Sequence, residues 1–150
     1  MTIEVDSIPV SAVVATRDRA SSLSRVLDSL LSERILPVEL IVVDGSAQSH
    51  TRELLASWGA RVAPKCIVKW HAALRLGAAI QRNQGVVAAT QPFVWFFDDD
   101  IVFEPQCVHR LWAALQSDAN LGGVNAMIIN QCYQPPGLVS RLLFTLMPQH

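Results

Sequence analysis

Apolar residues fall along this chain either in short continuous runs or in longer stripes with helical spacing, and the two kinds alternate. Ile8 to Ala15 is a β-branched run suited to a strand, and it breaks into the polar segment Thr16-Arg17-Asp18-Arg19. A helix is predicted next, because Leu23, Val26, Leu27, Leu30 and Leu31 recur at the spacing of one helical face, with Ser21 and Ser22 placed to cap it. Pro37 to Val43 reads as a second strand that runs into Asp44 and the turn residues Gly45-Ser46. A helix from His50 to Trp58 would gather Leu54, Leu55 and Trp58 on one side, with Gly59 as its stop, and Val62 and Ile67 to Trp70 read as a further strand.

The Ala-rich stretch from Ala72 to Ala89 predicts a helix with Leu76, Ile80 and Val87 periodic and Asn83 on the same side. Phe93-Val94-Trp95-Phe96-Phe97 is apolar on both faces and free of Pro and Gly, which predicts a strand buried in the middle of a sheet. Three carboxylates, Asp98-Asp99-Asp100, follow at once. Pro105 then sits where a first helical turn tolerates proline, ahead of an apolar stripe of Val108, Leu111, Trp112 and Leu115 that is core rather than a cofactor box. Leu121 to Asn130 reads as another strand after Gly122-Gly123. Strands alternating with helices define an α/β domain with a mostly parallel central sheet and helices on both faces, a single domain over residues 1–150.

Composition removes several function classes. The chain is 51% hydrophobic and only 17% charged, with a net charge of −1, which excludes a polyanion-binding surface and so nucleic acid as a partner. Cys66, Cys107 and Cys132 are an odd number without a C-x-x-C pair, so neither a disulfide framework nor a zinc knuckle is expected. Met1 to Asp6 carries acids where a signal peptide carries basic residues, and the expectation is a cytoplasmic protein. The apolar tract from Leu138 to Met147, interrupted by Arg141, is too short to span a bilayer and reads as an amphipathic segment that could rest on the cytoplasmic face of a membrane.

Ligands of parallel α/β sheets sit beyond the carboxyl ends of the strands. Three of these ends are polar here: Thr16 to Arg19, Asp44 to Ser46, and Asp98 to Asp100. Adjacent carboxylates repel one another unless a cation or strong hydrogen-bond donors hold them, and hard oxygen ligands suit Mg²⁺ or Mn²⁺. The plainer reading of the triplet is a solvated acidic turn ahead of a helix. The glycine-rich phosphate fingerprints G-x-G-x-x-G and G-x-x-x-x-G-K-[ST] are both absent, so a diphosphate here needs a metal.

The order of Thr16-Arg17-Asp18-Arg19, Glu39 to Ser46, Arg82-Asn83-Gln84-Gly85 and Phe96 to Asp100 with Pro105 beyond resembles a family 2 glycosyltransferase of the Rossmann-like GT-A fold, from about Val10 to Asn130. The resemblance implies transfer of a sugar from a nucleotide diphosphate sugar to a hydroxyl of a glycan, lipid or other acceptor, with inversion and with Mg²⁺ or Mn²⁺. It implies that Ala15, Thr16, Arg17 and Arg19 lie along the nucleotide and that Asp44 lies near the base. Arg82 would contact the donor's phosphate or base side, and Asp98 and Asp99 would approach the ribose and the metal. Asp100, the last residue of the D-x-D, is the foremost metal ligand, with Asp98 beside it. On spacing alone, Arg82 is equally a solvated helix cation, and Arg17 and Arg19 are surface charges.

An inverting transferase needs a general base, which the family draws from well beyond the D-x-D. No Asp or Glu follows Asp118, neither Glu104 nor Asp118 sits in a matching context, and His109 reads as a packing or surface residue. The expectation is therefore the donor-binding part of a longer enzyme, incomplete at the C-terminus and without its acceptor half, with the base unassigned. A non-catalytic nucleotide-sugar or partner-binding module is the alternative. A nucleotidyltransferase is disfavoured, because it would open with a Gly-rich, Lys-containing loop where Thr16 to Arg19 stand.

Overall fold

A computed structural model describes residues 6–129 of the chain. The elements are β1 (Asp6–Thr16), α1 (Ala20–Leu31), β2 (Ile35–Asp44), α2 (His50–Val62), β3 (Ile67–Ala72), α3 (Ala78–Ala88), β4 (Phe93–Phe96) and α4 (Cys107–Gln116). All strands are parallel in one sheet of order β3-β2-β1-β4, so every carboxyl end faces the same edge. The register slips between Ile8 and Ser11 of β1, and Pro9 falls in that bulge, where a missing N–H is tolerated.

The alternation of β1 and β2 divides the core. Val10, Ala12, Val14, Leu40 and Val42 face α1 and α2 and pack with Leu23, Val26, Leu27, Leu30, Leu55 and Trp58. Trp58 satisfies its buried indole by donating to the Leu27 carbonyl at 3.2 Å, which pins α2 to α1. Val13, Ile41 and Val43 face the other way, toward α3. Cys66 is buried in the larger cluster, and burial pushes its thiol up to about 12, so it is an apolar packing group rather than a nucleophile.

Several expectations are corrected. Helix α1 begins at Ala20 with Arg19 at the N-cap and without a side-chain cap, so Ser21 and Ser22 lie inside the helix. Gly59 does not stop α2, which runs on through Val62 to Ala63, held extended ahead of Pro64. A Cβ at Gly59 would lie 3.4 Å from Val68, so this glycine serves close packing of α2 on β3. Residues 72–77 are not helical: β3 runs to Ala72, and α3 starts only after Gly77, whose φ of 133° requires glycine.

Helix α3 also faces the opposite way from its apolar stripe. Val87 is 88% exposed, while Gln81 and Gly85 are the buried positions, because a Cβ at Gly85 would collide with Val13 and only glycine lets the backbone lie so close. The Phe93 to Phe97 run is not central in the described sheet. β4 pairs with β1 alone, and Phe93, Val94 and Phe96 stay between 37% and 47% exposed, since an apolar run looks the same whether or not a neighbour covers it.

Pro105 lies in the turn before α4 rather than in its first helical turn. Buried Glu33 supplies the cap instead, accepting from the N–H groups of Cys107 and Val108 at 3.2 Å each. No strand forms over residues 121–129. Asn130, Cys132 and the tract 138–147 lie outside the described residues, and among those described no helix is long and apolar enough to cross a membrane.

Candidate functional site

The polar ends of β1, β2 and β4 meet in one hydrogen-bonded rim on the carboxyl edge. Thr16, 2% exposed, donates its hydroxyl to Asp99 Oδ2 at 2.7 Å, which joins β1 to β4. Its carbonyl accepts from Gly45 N at 2.9 Å and from Gln81 Nε2 at 3.0 Å, while the same Gln81 nitrogen reaches the Val43 carbonyl at 2.9 Å. Gln81 is therefore a clamp across two strand ends, set by α3. Ala15, half-buried, pairs with Val43 just behind this clamp.

The loop after β1 is held in an uncommon conformation. Asp18 has a φ of 54°, which Asp tolerates better than most residues, and its N–H donates to Ser46 Oγ at 2.8 Å. Ser46 in turn donates through both its hydroxyl and its N–H to Asp44 Oδ1, and Trp70 Nε1 donates to Asp44 Oδ2 at 3.1 Å. Asp44 is 3% exposed and acts here as the knot that fixes the loop after β2. Arg52 of α2 lies over the Trp70 ring at 5.1 Å from its centroid.

The acidic triplet alternates. Asp98 and Asp100 have side chains 58% and 55% exposed, whereas Asp99 is turned inward at 7%. One Arg19 nitrogen donates to Asp99 Oδ1 and Asp100 Oδ2, each at 3.1 Å, and Arg82 of α3 pairs with Asp98. Arg17, exposed, pairs with its neighbour Asp18 at 3.5 Å. Asn83 is exposed on α3. Beside the rim, between the N-termini of α1 and α2, a cleft of about 510 Å³ is lined by Asp18, Ser21, Ser46 and Thr51 among others; the triplet does not line it.

Among the described residues, no three His, Cys, Asp or Glu side chains form a closed metal cage. The donor set that does exist, two exposed carboxylates two residues apart, fits Mg²⁺ or Mn²⁺, which take one or two carboxylates and fill the remaining positions with water and phosphate oxygens. Thr16, Arg19, Arg82 and the triplet, all singled out by sequence, are thus brought together, while Arg17 pairs with Asp18 rather than with the triplet and Asp44 lies beneath the surface. Gln81, Trp70 and Ser46 are additional. Of these only Ser46 had a signal, as a turn residue after Asp44; nothing in the sequence marks the other two.

An open parallel sheet whose polar strand ends gather on one edge defines an α/β protein of the kind that binds ligands beyond its strands. The chain belongs to Glycosyl transferase family 2, whose sequence profile matches residues 11–146. It is 26% identical over 113 residues to an uncharacterized glycosyltransferase of Nostoc sp., covering 75% of this chain and 34% of that protein. It is 29% identical over 107 residues to validoxylamine A glucosyltransferase of Streptomyces hygroscopicus subsp. limoneus, covering 70% of this chain and 23% of that protein. The chain therefore spans no more than about a third of the length of these curated relatives.

Among solved structures, a mannosyltransferase from Pyrobaculum calidifontis in complex with GDP-Man and Mn²⁺ is similar with a TM-score of 0.62 at 21% identity, covering 79% of this chain and 36% of that one. S. aureus TarS 1–349 is similar with a TM-score of 0.61 at 19% identity, covering 83% and 40%. These likenesses establish the GT-A fold.

Proposed function

We propose that this chain supplies the donor side of a glycosyltransferase that moves a sugar from a nucleotide diphosphate sugar to the hydroxyl of a glycan, lipid or other acceptor, with inversion and with Mg²⁺ or Mn²⁺. The observation that carries the reading is the tying of three parallel strand ends into one rim, by Thr16 to Asp99 and by Asp18 through Ser46 to Asp44. The relatives' transferase names and the solved neighbour's GDP-Man and Mn²⁺ support it.

In this reading the nucleoside lies along residues 15–19, with Asp44 shaping the loop that faces the base. Asp98 and Asp100 hold the cation. When bound, the cation neutralises charge that builds on the departing diphosphate. Arg82 and Arg19 bring guanidinium groups to the same edge, and the fork of N–H donors on each suits phosphate oxygens. Asp44 and Asp99 are buried and committed to hydrogen bonds, so neither is assigned the role of base toward the acceptor.

A calorimetric screen of UDP, GDP and dTDP against the protein, with Mn²⁺ and with EDTA, tests the proposal. At least one nucleoside diphosphate is expected to bind with Mn²⁺ and to lose that binding in EDTA. Affinity indifferent to EDTA would remove the metal from the account, and no binding of any of the three would remove the donor site.

A further inference from the structure

The contacts of Arg19 are unequal. The same nitrogen reaches Asp99, whose side chain is 7% exposed, and Asp100, whose side chain is 55% exposed. Abandoning Asp99 would leave a buried carboxylate with only the Thr16 hydroxyl for compensation, which is strongly unfavourable. Yielding Asp100 is nearly free, because an exposed ion pair contributes little. Arg19 is therefore anchored at one end and exchangeable at the other.

Asp98 is held in the same exchangeable way by Arg82, itself only part-exposed. Both exposed carboxylates that could take a cation thus already have a guanidinium on them. A divalent cation arriving alone must displace both. A cation arriving with a diphosphate displaces them onto new acceptors, since the freed N–H groups can turn to phosphate oxygens.

We propose that Arg19 and the divalent cation compete for Asp100, so that cation and nucleoside diphosphate load as a coupled pair while Arg19 pivots on Asp99 from Asp100 to the diphosphate. This rests on the donor-site reading above and adds to it an arginine that sets the order and coupling of loading. A cation without a nucleotide is then a poor ligand by design of the pairings, and Arg19 is a positioning group in one state and a phosphate contact in the other.

The test measures Mn²⁺ binding by the loss of the free-ion electron paramagnetic resonance signal, and diphosphate binding by calorimetry at saturating Mn²⁺, using whichever of UDP, GDP and dTDP binds in the screen. Arg19→Ala is expected to tighten Mn²⁺ alone by about threefold, the scale of one exposed ion pair. The same change is expected to weaken the diphosphate by about tenfold, the scale of a lost charge-assisted hydrogen bond. Arg19→Lys, which keeps an ammonium for Asp99 but lacks the fork, should move both quantities in the same directions by less, and it preserves the fold should alanine not.

Arg25→Ala removes an equal charge from the exposed side of α1, the helix that follows Arg19, and should change neither. Weakening of both ligands by Arg19→Ala, Mn²⁺ affinity unchanged by it, or the same shifts from Arg25→Ala would overturn the exchange. A wild-type protein that binds no diphosphate would overturn the donor site and the exchange with it, whereas wild-type binding with an unresponsive Arg19 overturns the exchange alone.

Discussion

Replacing Glu39 by alanine is expected to lower stability by about 3 kcal/mol, which for a chain of this size is a fall in Tm of roughly 10 °C. Glu39 is a carboxylate inside a β-sheet, 2% exposed, and it survives there because its oxygens are fully engaged. Ser11 Oγ donates to it at 2.6 Å, Thr90 donates through both N–H and hydroxyl at 3.1 Å, and Lys69 forms an ion pair with it. These bonds fasten β1, β2, β3 and the segment entering β4 at one point. Alanine would take the acceptor from the Ser11 hydroxyl, itself wholly buried, while the Thr90 N–H keeps Ser11 Oγ at 3.3 Å and the partly exposed Lys69 could recover water.

Glu39→Gln keeps the shape and one acceptor oxygen, enough for Ser11 and the Thr90 N–H, but gives up the ion pair with the partly exposed Lys69, and should cost less than alanine, about 1 kcal/mol. Burial on its own pushes the Glu39 carboxyl up, but the hydrogen bonds from Lys69, Ser11 and Thr90 more than offset it, and the group lies below the ordinary carboxylate value. Because the folded value is depressed, this contribution is complete above the unfolded value and is lost as pH falls through the folded one. Thermal melts from neutral pH downward should show the wild type losing its advantage over Glu39→Gln in acid. A difference that stays constant with pH would contradict the assignment.

The three adjacent aspartates are expected to respond differently to the same change. Asp100→Ala and Asp98→Ala should each weaken diphosphate binding in Mn²⁺ by at least the 10- to 100-fold that even outer-shell partners of a metal cost, with stability within about 0.5 kcal/mol of wild type. Asp99→Ala should instead cost about 2 kcal/mol of stability, since it removes the acceptor of Thr16 and the anchor of Arg19. Paired calorimetry and melting curves for the three variants give the comparison. Equal losses of binding at all three positions, with no loss of stability at Asp99, would mean that the alternation seen here has no functional meaning.

That alternation explains why some of the site was legible in sequence and some was not. Strand ends were visible because apolar runs stop abruptly at Thr16, Asp44 and Asp98, and parallel order followed from the helices between them. Three identical residues carry no sign of which one turns inward. The turn that follows β4 and the partners waiting beneath it decide the matter: Asp99 meets the buried Thr16 hydroxyl, while Asp98 and Asp100 stay exposed.

Helix α3 misled for a related reason: periodicity finds the larger apolar side chains, but the face that meets the sheet is chosen by Gly85, whose lack of a side chain is the contact. Gln81, Trp70 and Glu33 act through partners 26 to 75 residues away, and no local pattern encodes such distances. The edge position of β4 was hidden because burial of a strand depends on its neighbours rather than on itself.

The most direct measurement of the donor-site claim is an amide chemical-shift map of the ¹⁵N-labelled protein titrated with the nucleoside diphosphate that binds, using Mg²⁺ as the diamagnetic cation. The expected result is a set of shifts confined to residues 15–19, 44–46, 81–82 and 98–100, the four segments that form the rim, with none of comparable size on the amino edge of the sheet. Shifts that cluster elsewhere and leave Thr16, Ser46 and Asp99 unmoved would contradict it.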